Sequence, residues 1–159
     1  MKKIIFFLIA AGSFMTSQLY SQTNLGIRIG GWSDLGAEIS YQNKLSNGER
    51  IELDAGFGAG GGTTNSIEFS LVGIYQWMFS FENGLGWYIG PGASFGFFYY
   101  ELAIEDYDKF YMAVNGQVGL EYNFQFPIQL SVDYRPGISL NGGNWINNYG
   151  IGIRWRFGG

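Results

Sequence analysis

The sequence predicts an all-β fold, with eight antiparallel strands joined up-and-down and closed into a barrel. Three observations predict it. Apolar and polar residues alternate in eight separate runs, with the period of two at which side chains leave opposite faces of a strand. Clusters of turn-forming residues separate these runs, and no later segment keeps a sustained helical period. Charged residues make up only 14% of the chain while aromatic residues reach 19% and glycine 26 of 159. An average soluble domain is about 25% charged.

The chain opens with M-K-K-I-I-F-F-L-I-A-A-G-S-F. Lys2 and Lys3 precede an apolar run from Ile4 to Ala11, and a small, polar stretch follows to about Gln22. This is the layout of a secretory signal peptide. The apolar run is too short for a membrane-spanning helix, which needs about 20 residues. The expected organisation is a signal peptide over 1–22, cleaved after Ser21 or Gln22, and one β-domain over 23–159.

The first run, N-L-G-I-R-I-G, sets Leu25, Ile27 and Ile29 against Arg28. The second, L-G-A-E-I-S-Y-Q, sets Leu35, Ala37, Ile39 and Tyr41 against Glu38, Ser40 and Gln42. The third, R-I-E-L-D-A-G-F, sets Ile51, Leu53, Ala55 and Phe57 against Arg50, Glu52 and Asp54. The fourth, I-E-F-S-L-V-G-I-Y-Q-W, sets Ile67, Phe69, Leu71, Tyr75 and Trp77 against Glu68, Ser70 and Gln76, with Val72 and Ile74 interrupting the polar row. The fifth, W-Y-I-G-P-G-A-S-F-G-F, sets Trp87, Ile89, Ala93, Phe95 and Phe97 against glycines, Tyr88 and Ser94. In the sixth, Phe110 to Phe124, Met112, Val114, Val118, Leu120 and Tyr122 oppose Asn115, Gln117, Glu121 and Asn123. The seventh, I-Q-L-S-V-D-Y-R-P-G-I, sets Ile128, Leu130, Val132 and Tyr134 against Gln129, Ser131, Asp133 and Arg135. The eighth, Y-G-I-G-I-R-W-R-F, sets Tyr149, Ile151, Ile153, Trp155 and Phe157 against two glycines, Arg154 and Arg156.

No Asp, Glu, Lys or Arg falls on the apolar row of any run. The opposite row holds Arg28, Glu38, Arg50, Glu52, Asp54, Glu68, Glu121, Asp133, Arg135, Arg154 and Arg156, five positive and six negative. Two barrels fit this pattern. A soluble, lipocalin-like carrier would turn the apolar row inward around a ligand. Trp77, Trp87, Phe95, Phe97, Trp155 and Phe157 would then crowd a modest interior, and the surface would carry few charges. A transmembrane barrel turns the apolar row outward to lipid, where a midplane charge costs about 2–4 kcal/mol. The charged row then fills a narrow lumen with nearly balanced signs, and the lumen glycines give long arginines room. Aromatics at the row ends (Tyr41, Trp77, Trp87, Tyr122, Tyr149, Phe157) match interfacial girdles. The connections Gly30–Asp34, Ala59–Ser66, Tyr99–Lys109 and Asn141–Asn148 form a longer set than Asn43–Gly48, Ser80–Gly86 and Gln125–Pro127. Such asymmetry is usual in transmembrane barrels.

These residues, above all G-I-R-I-G-G, W-Y-I-G-P-G-A-S-F-G-F, V-G-L-E-Y-N-F and G-I-G-I-R-W-R-F, give the chain a pattern that resembles the small eight-stranded outer-membrane β-barrels of Gram-negative bacteria, of the outer membrane protein X and outer membrane protein A type. The resemblance covers the mature chain. It implies an outer-membrane location and a monomer. It also implies that the closing strand, with its aromatic Phe157, is the signal read by the barrel-insertion machinery. Here Gly158 and Gly159 follow that aromatic, where the family usually ends on it.

Little in the sequence supports catalysis. Cysteine and histidine are absent, which excludes disulfides, thiolate chemistry and the histidine general base. Glu52 and Asp54 share a face and read as counter-charges for lumen arginines. Gly56 to Gly62 lacks the Lys-Ser/Thr of a phosphate-binding loop. Glu101, Glu105, Asp106 and Asp108 make an acidic loop, read as solvated, with a divalent-cation site as the alternative. After loss of Lys2 and Lys3 the net charge is 7 − 13 = −6, which argues against nucleic acid as a partner. No cofactor is expected. The expected function is a non-enzymatic structural or surface-interaction barrel in contact with membrane lipid. A narrow ion or small-solute channel and a secreted carrier of an apolar ligand are the alternatives.

Overall fold

The computed structural model describes residues 22–30, 36–60, 65–101 and 107–158, without the side chains at 59–60, 65–68, 98–101 and 107–109. Residues 1–21 of the expected signal peptide lie outside the described residues, as does Gly159. Eight strands follow in order: β1 (Thr23–Gly30), β2 (Ala37–Ser46), β3 (Glu49–Gly60), β4 (Asn65–Ser80), β5 (Leu85–Glu101), β6 (Tyr107–Asn123), β7 (Ile128–Ser139) and β8 (Trp145–Phe157). Each pairs antiparallel with the next, and β8 returns to β1 from Thr23↔Phe157 to Gly30↔Gly150, closing the barrel.

The strands run past the alternating pattern that announces them. β5 and β6 are 17 residues each and pair from Leu85↔Tyr122 to Tyr100↔Tyr107. Backbone pairing needs a neighbouring strand and tolerates aromatic or polar side chains, so it continues where the apolar alternation stops. The connections shrink accordingly. Those at one end span 31–36, 61–64, 102–106 and 140–144; those at the other span 47–48, 81–84 and 124–127. The expected contrast between short turns and longer loops is therefore small. Above the point where β7 pairing begins, at Ala113↔Ser139, Leu140 N donates to Met112 O (2.7 Å), and the Asn141 side chain accepts from Met112 N (3.0 Å) and donates to Phe110 O (3.3 Å).

The two faces are inverted relative to a soluble domain. Along β8, Tyr149, Ile151, Ile153, Trp155 and Phe157 are 50–69% exposed, while Arg154 is 1% exposed. Among the described residues thirty large hydrophobic side chains are exposed, and the buried hydrophobic residues are five: Val72, Ile74, Tyr88, Tyr111 and Ala113. This corrects the alternative of a soluble apolar-ligand carrier, because the apolar row lines no interior. An outside this apolar matches hydrocarbon, in which only helices and closed barrels satisfy their backbone groups. No helix among the described residues is long and apolar enough to cross a membrane.

Aromatic rings gather at both ends of the outer face. Phe79 stacks on Trp87 (4.4 Å), and Tyr122, Phe124 and Phe126 pack in series at the short-turn end. Phe95, Phe97 and Phe110 cluster near the other end, as do Tyr134 and Tyr149 (4.8 Å). From Tyr149 to Phe157, at about 3.4 Å per residue and a usual tilt of 35–45°, the apolar row spans roughly 21 Å. The lengthened β3 puts one charge, Glu49, on the outward row. It sits at the first position of the strand beside the turn, where Ser46 donates to it (2.7 Å), so it lies at the edge of the apolar band.

The depth of each outward residue sets its tolerance of charge. Ile153→Arg, at the middle of the β8 row, is expected to cost about 2–4 kcal/mol and Phe157→Arg, at its edge, no more than about 1 kcal/mol. Equilibrium unfolding of both variants in lipid vesicles checks the contrast.

Candidate functional site: the charged lumen

Lumen charges come from strands that are not neighbours, so their pairing spans the barrel. Arg135 on β7 is the hub. It contacts Glu52 (2.5 Å) and Asp54 on β3, half the barrel away, Glu38 on β2 (3.1 Å) and Asp133 on its own strand (3.7 Å). Arg28 on β1 grips Asp133 through Nε and Nη2 (2.6 Å at the shortest), and also donates to Glu38 (3.0 Å) and Asn148 (2.9 Å). Arg154 on β8 donates to Ser40 (2.8 Å) and Ser131 (2.7 Å) and lies 3.4 Å from Glu52. Arg50 on β3 donates to Glu121 (2.8 Å) and Gln76 (2.5 Å), and its guanidinium lies 5.0 Å from the centre of the Tyr88 ring. The buried charges described are four arginines and five acids, 4 − 5 = −1. Such near balance is what makes burial of charge tolerable.

Glycine clears the path for these contacts. Asp133 pairs in register with Gly119 on β6 and Gly150 on β8. The Arg28 side chain crosses over Gly150 to reach Asp133 from β1, and the Tyr88 ring crosses over Gly119 so that its hydroxyl donates to Asp133 from β5 (3.4 Å). A Cβ at either glycine would collide with the side chain above it. Both side chains are fully buried, so neither has space to retreat.

Amides extend the network. Gln42 donates to Glu52, Gln76 donates to Glu52 (3.1 Å) and Gln117 (2.6 Å), and Gln117 donates to Glu52 (3.2 Å). Val72, Ile74, Tyr111 and Ala113 add apolar filling toward the longer-connection end. Arg28, Ser40, Gln42, Glu52, Gln76 and Tyr88 are each 0% exposed, which means a water-sized probe does not reach them. Together they occupy the lumen at mid-height.

The expected lumen set divides on inspection. Arg28, Glu38, Arg50, Glu52, Asp54, Glu121, Asp133, Arg135 and Arg154 come together inside. Arg156 does not join them. It lies half-buried at the rim, where Nη2 donates to the Phe124 and Phe126 carbonyls (2.6 and 3.2 Å), because its strand ends beside the β6–β7 turn. The expectation that it pairs with a lumen acid is thus corrected. The Glu68, Glu101 and Asp108 side chains, and Glu105 and Asp106 altogether, lie outside the described residues; no metal-holding group of acids occurs among the described ones. The lumen parity places Tyr88 and the glutamines on the inner row, but its charges alone give no hint that Tyr88 reaches Asp133 two strands away. The signal is the pair of glycines flanking Asp133, visible only once the register is known.

A closed antiparallel ladder, an apolar exterior and a charge-paired interior define a β-barrel of the bilayer-spanning class. This chain has the fold of the small eight-stranded outer-membrane barrels. Its fold resembles a major outer membrane protein from Thermus thermophilus (TM-score 0.70, 12% identity, covering 86% of this chain and 99% of that one). It also resembles Neisserial surface protein A (0.64, 15%, 86% and 96%) and the N-terminal β-barrel domain of OprF from Pseudomonas aeruginosa (0.64, 17%, 84% and 97%). At the sequence level neither a family model nor a curated protein matches the chain.

Removing the hub leaves Asp54 without an ion-pair partner among the described residues and Glu52 with Arg154 alone. Arg135→Met is expected to destabilise the barrel by about 3–5 kcal/mol, the cost of breaking a buried pair from one side. Gly150→Val is expected to be destabilising alone and far less so in an Arg28→Met background, because the clash is with that side chain. A double-mutant cycle by urea unfolding measures the coupling.

Proposed function

We propose that this protein is a non-enzymatic β-barrel of the bacterial outer membrane, exported through an amino-terminal signal peptide, that serves as a structural or surface element and does not conduct through its lumen. The packing at mid-height carries the reading, as a seal: charge-paired and amide side chains that a water-sized probe does not reach crowd the lumen there. Each described lumen acid is held by an arginine, Glu38 and Asp133 by Arg28, Glu52 and Asp54 by Arg135, and Glu121 by Arg50. Likeness of fold to surface and outer-membrane proteins supports the location. Membrane lipid is the partner of the apolar exterior, and an aromatic-ended β8 is suited to recognition by barrel-insertion machinery. The protein is read as a monomer, because the apolar row continues on every strand around the barrel. With connections of only four to six residues at the longer-connection end, surface contact would use the barrel rim as much as its loops.

Planar-bilayer recordings on the refolded protein test the reading. Wild type is expected to give no steady unitary current, and steady, reproducible unitary currents would overturn non-conduction. Cell fractionation with heat-modifiable gel migration tests the location; recovery as a soluble protein would remove it.

A further inference from the structure

Below the seal, at the short-turn end, lies a polar cavity of about 150 Å³ at the barrel mouth. Four of its lining residues, on β1, β3, β7 and β8, each present a buried polar atom with no hydrogen-bond partner among the described residues: Asn24 Oδ1, Arg50 Nη2, Gln129 Oε1 and Arg156 Nε. Asn24, Arg50 and Gln129 are at most 6% exposed. Their orientations are set by the network behind them. Glu52 accepts from Gln42, so Gln42 turns its oxygen to Asn24 Nδ2 (2.9 Å), leaving Asn24 Oδ1 facing away as an acceptor. Glu121 accepts from Gln129 Nε2 (3.2 Å), which leaves Gln129 Oε1 as an acceptor. Arg50 spends Nε and Nη1 on Gln76 and Glu121, and Arg156 spends Nη2 on two carbonyls.

The mouth therefore offers two guanidinium donors and two amide acceptors. Its formal charge, from Lys44, Arg50 and Arg156 against Glu121, is 3 − 1 = +2. A bare anion would face two carbonyl oxygens, and a cation would face the arginines. A carboxylate with a neighbouring N–H donor satisfies both sets. We propose that this cavity binds the α-carboxylate and adjacent N–H of a free amino acid or of a peptide C-terminus. The space holds one such unit; at about 30 Å³ per water it would otherwise take roughly five waters. The site goes beyond the function proposed above.

The test uses the refolded mature protein in non-ionic detergent micelles, followed by ¹H–¹⁵N NMR at fixed ionic strength. The probes are N-acetylglycine, glycine, acetate and N-acetylglycinamide. N-acetylglycine, glycine or both are expected to shift resonances of Asn24, Gln129 and Arg156 saturably. Acetate is expected to bind about tenfold more weakly for want of the N–H contact, and the amide not at all. The stronger of the first two tells a peptide terminus from a free amino acid. Arg156→Gln, which breaks no ion pair among the described residues, is expected to weaken binding about tenfold while heat-modifiable migration persists. No saturable shift from either probe, equal binding of acetate, or unchanged affinity in Arg156→Gln would overturn the site. The wild-type series decides by itself if the variant does not fold. The readout is independent of conductance and location.

Discussion

Everything in this barrel follows from one demand: in hydrocarbon no backbone N–H or C=O can be left unpaired. The demand is met when β8 closes on β1 from Thr23↔Phe157 to Gly30↔Gly150. Closure with eight strands fixes a narrow lumen that side chains can fill. Because the outer row must be apolar across the hydrocarbon, the inner row is the place for charges at that depth. The fold thus forces its charged residues into the least solvated volume of the molecule, and the pairing of Arg28, Arg50, Arg135 and Arg154 is the consequence.

An apolar filling would avoid the desolvation of nine charges, and buried ion pairs are often no more stable than apolar replacements. Charge has a different use here. A one-residue register slip moves a whole row to the opposite face. With an apolar lumen the slipped barrel would be nearly as acceptable to lipid as the native one. With Arg28 or Arg135 in the row, slippage puts a cation into hydrocarbon at about 2–4 kcal/mol each. The network is a specification of register and facing. Its long reach across the barrel, β7 to β3 through Arg135, ties strands that share no backbone hydrogen bonds.

The strand periods, the facing of every row and the inward placement of nine of the eleven expected charges could be read from the chain, because alternation is a local property and lipid penalises each misplaced charge separately. Partner identity could not. Arg135–Glu52 and Arg28–Asp133 join residues 83 and 105 positions apart, and which acid meets which arginine depends on tilt and stagger that no single strand encodes. Strand ends were also illegible, since β5 and β6 go on pairing to Tyr100↔Tyr107, past the end of the apolar alternation. Arg156 shows the same limit: its parity is that of Arg154, but its height places it at the rim, and period-two reasoning carries no height.

The lumen network and the mouth are one structure. The carboxylate of Glu52, held by Arg135 and Arg154 at mid-lumen, sets the orientation of Gln42, and Gln42 sets that of Asn24 at the opening. Glu121 does the same for Gln129 while holding Arg50. Amides have two ends, so each relay step leaves an oxygen pointing onward, and the sign pattern of the mouth is the terminal reading of the charge order inside. The mouth therefore is not shaped independently of the barrel's interior. A change at Glu52 would reverse the reason for the Gln42 orientation, and with it the reason that Asn24 presents an acceptor to the cavity. The polar groups that fill the lumen are the same groups that orient the amides of its mouth.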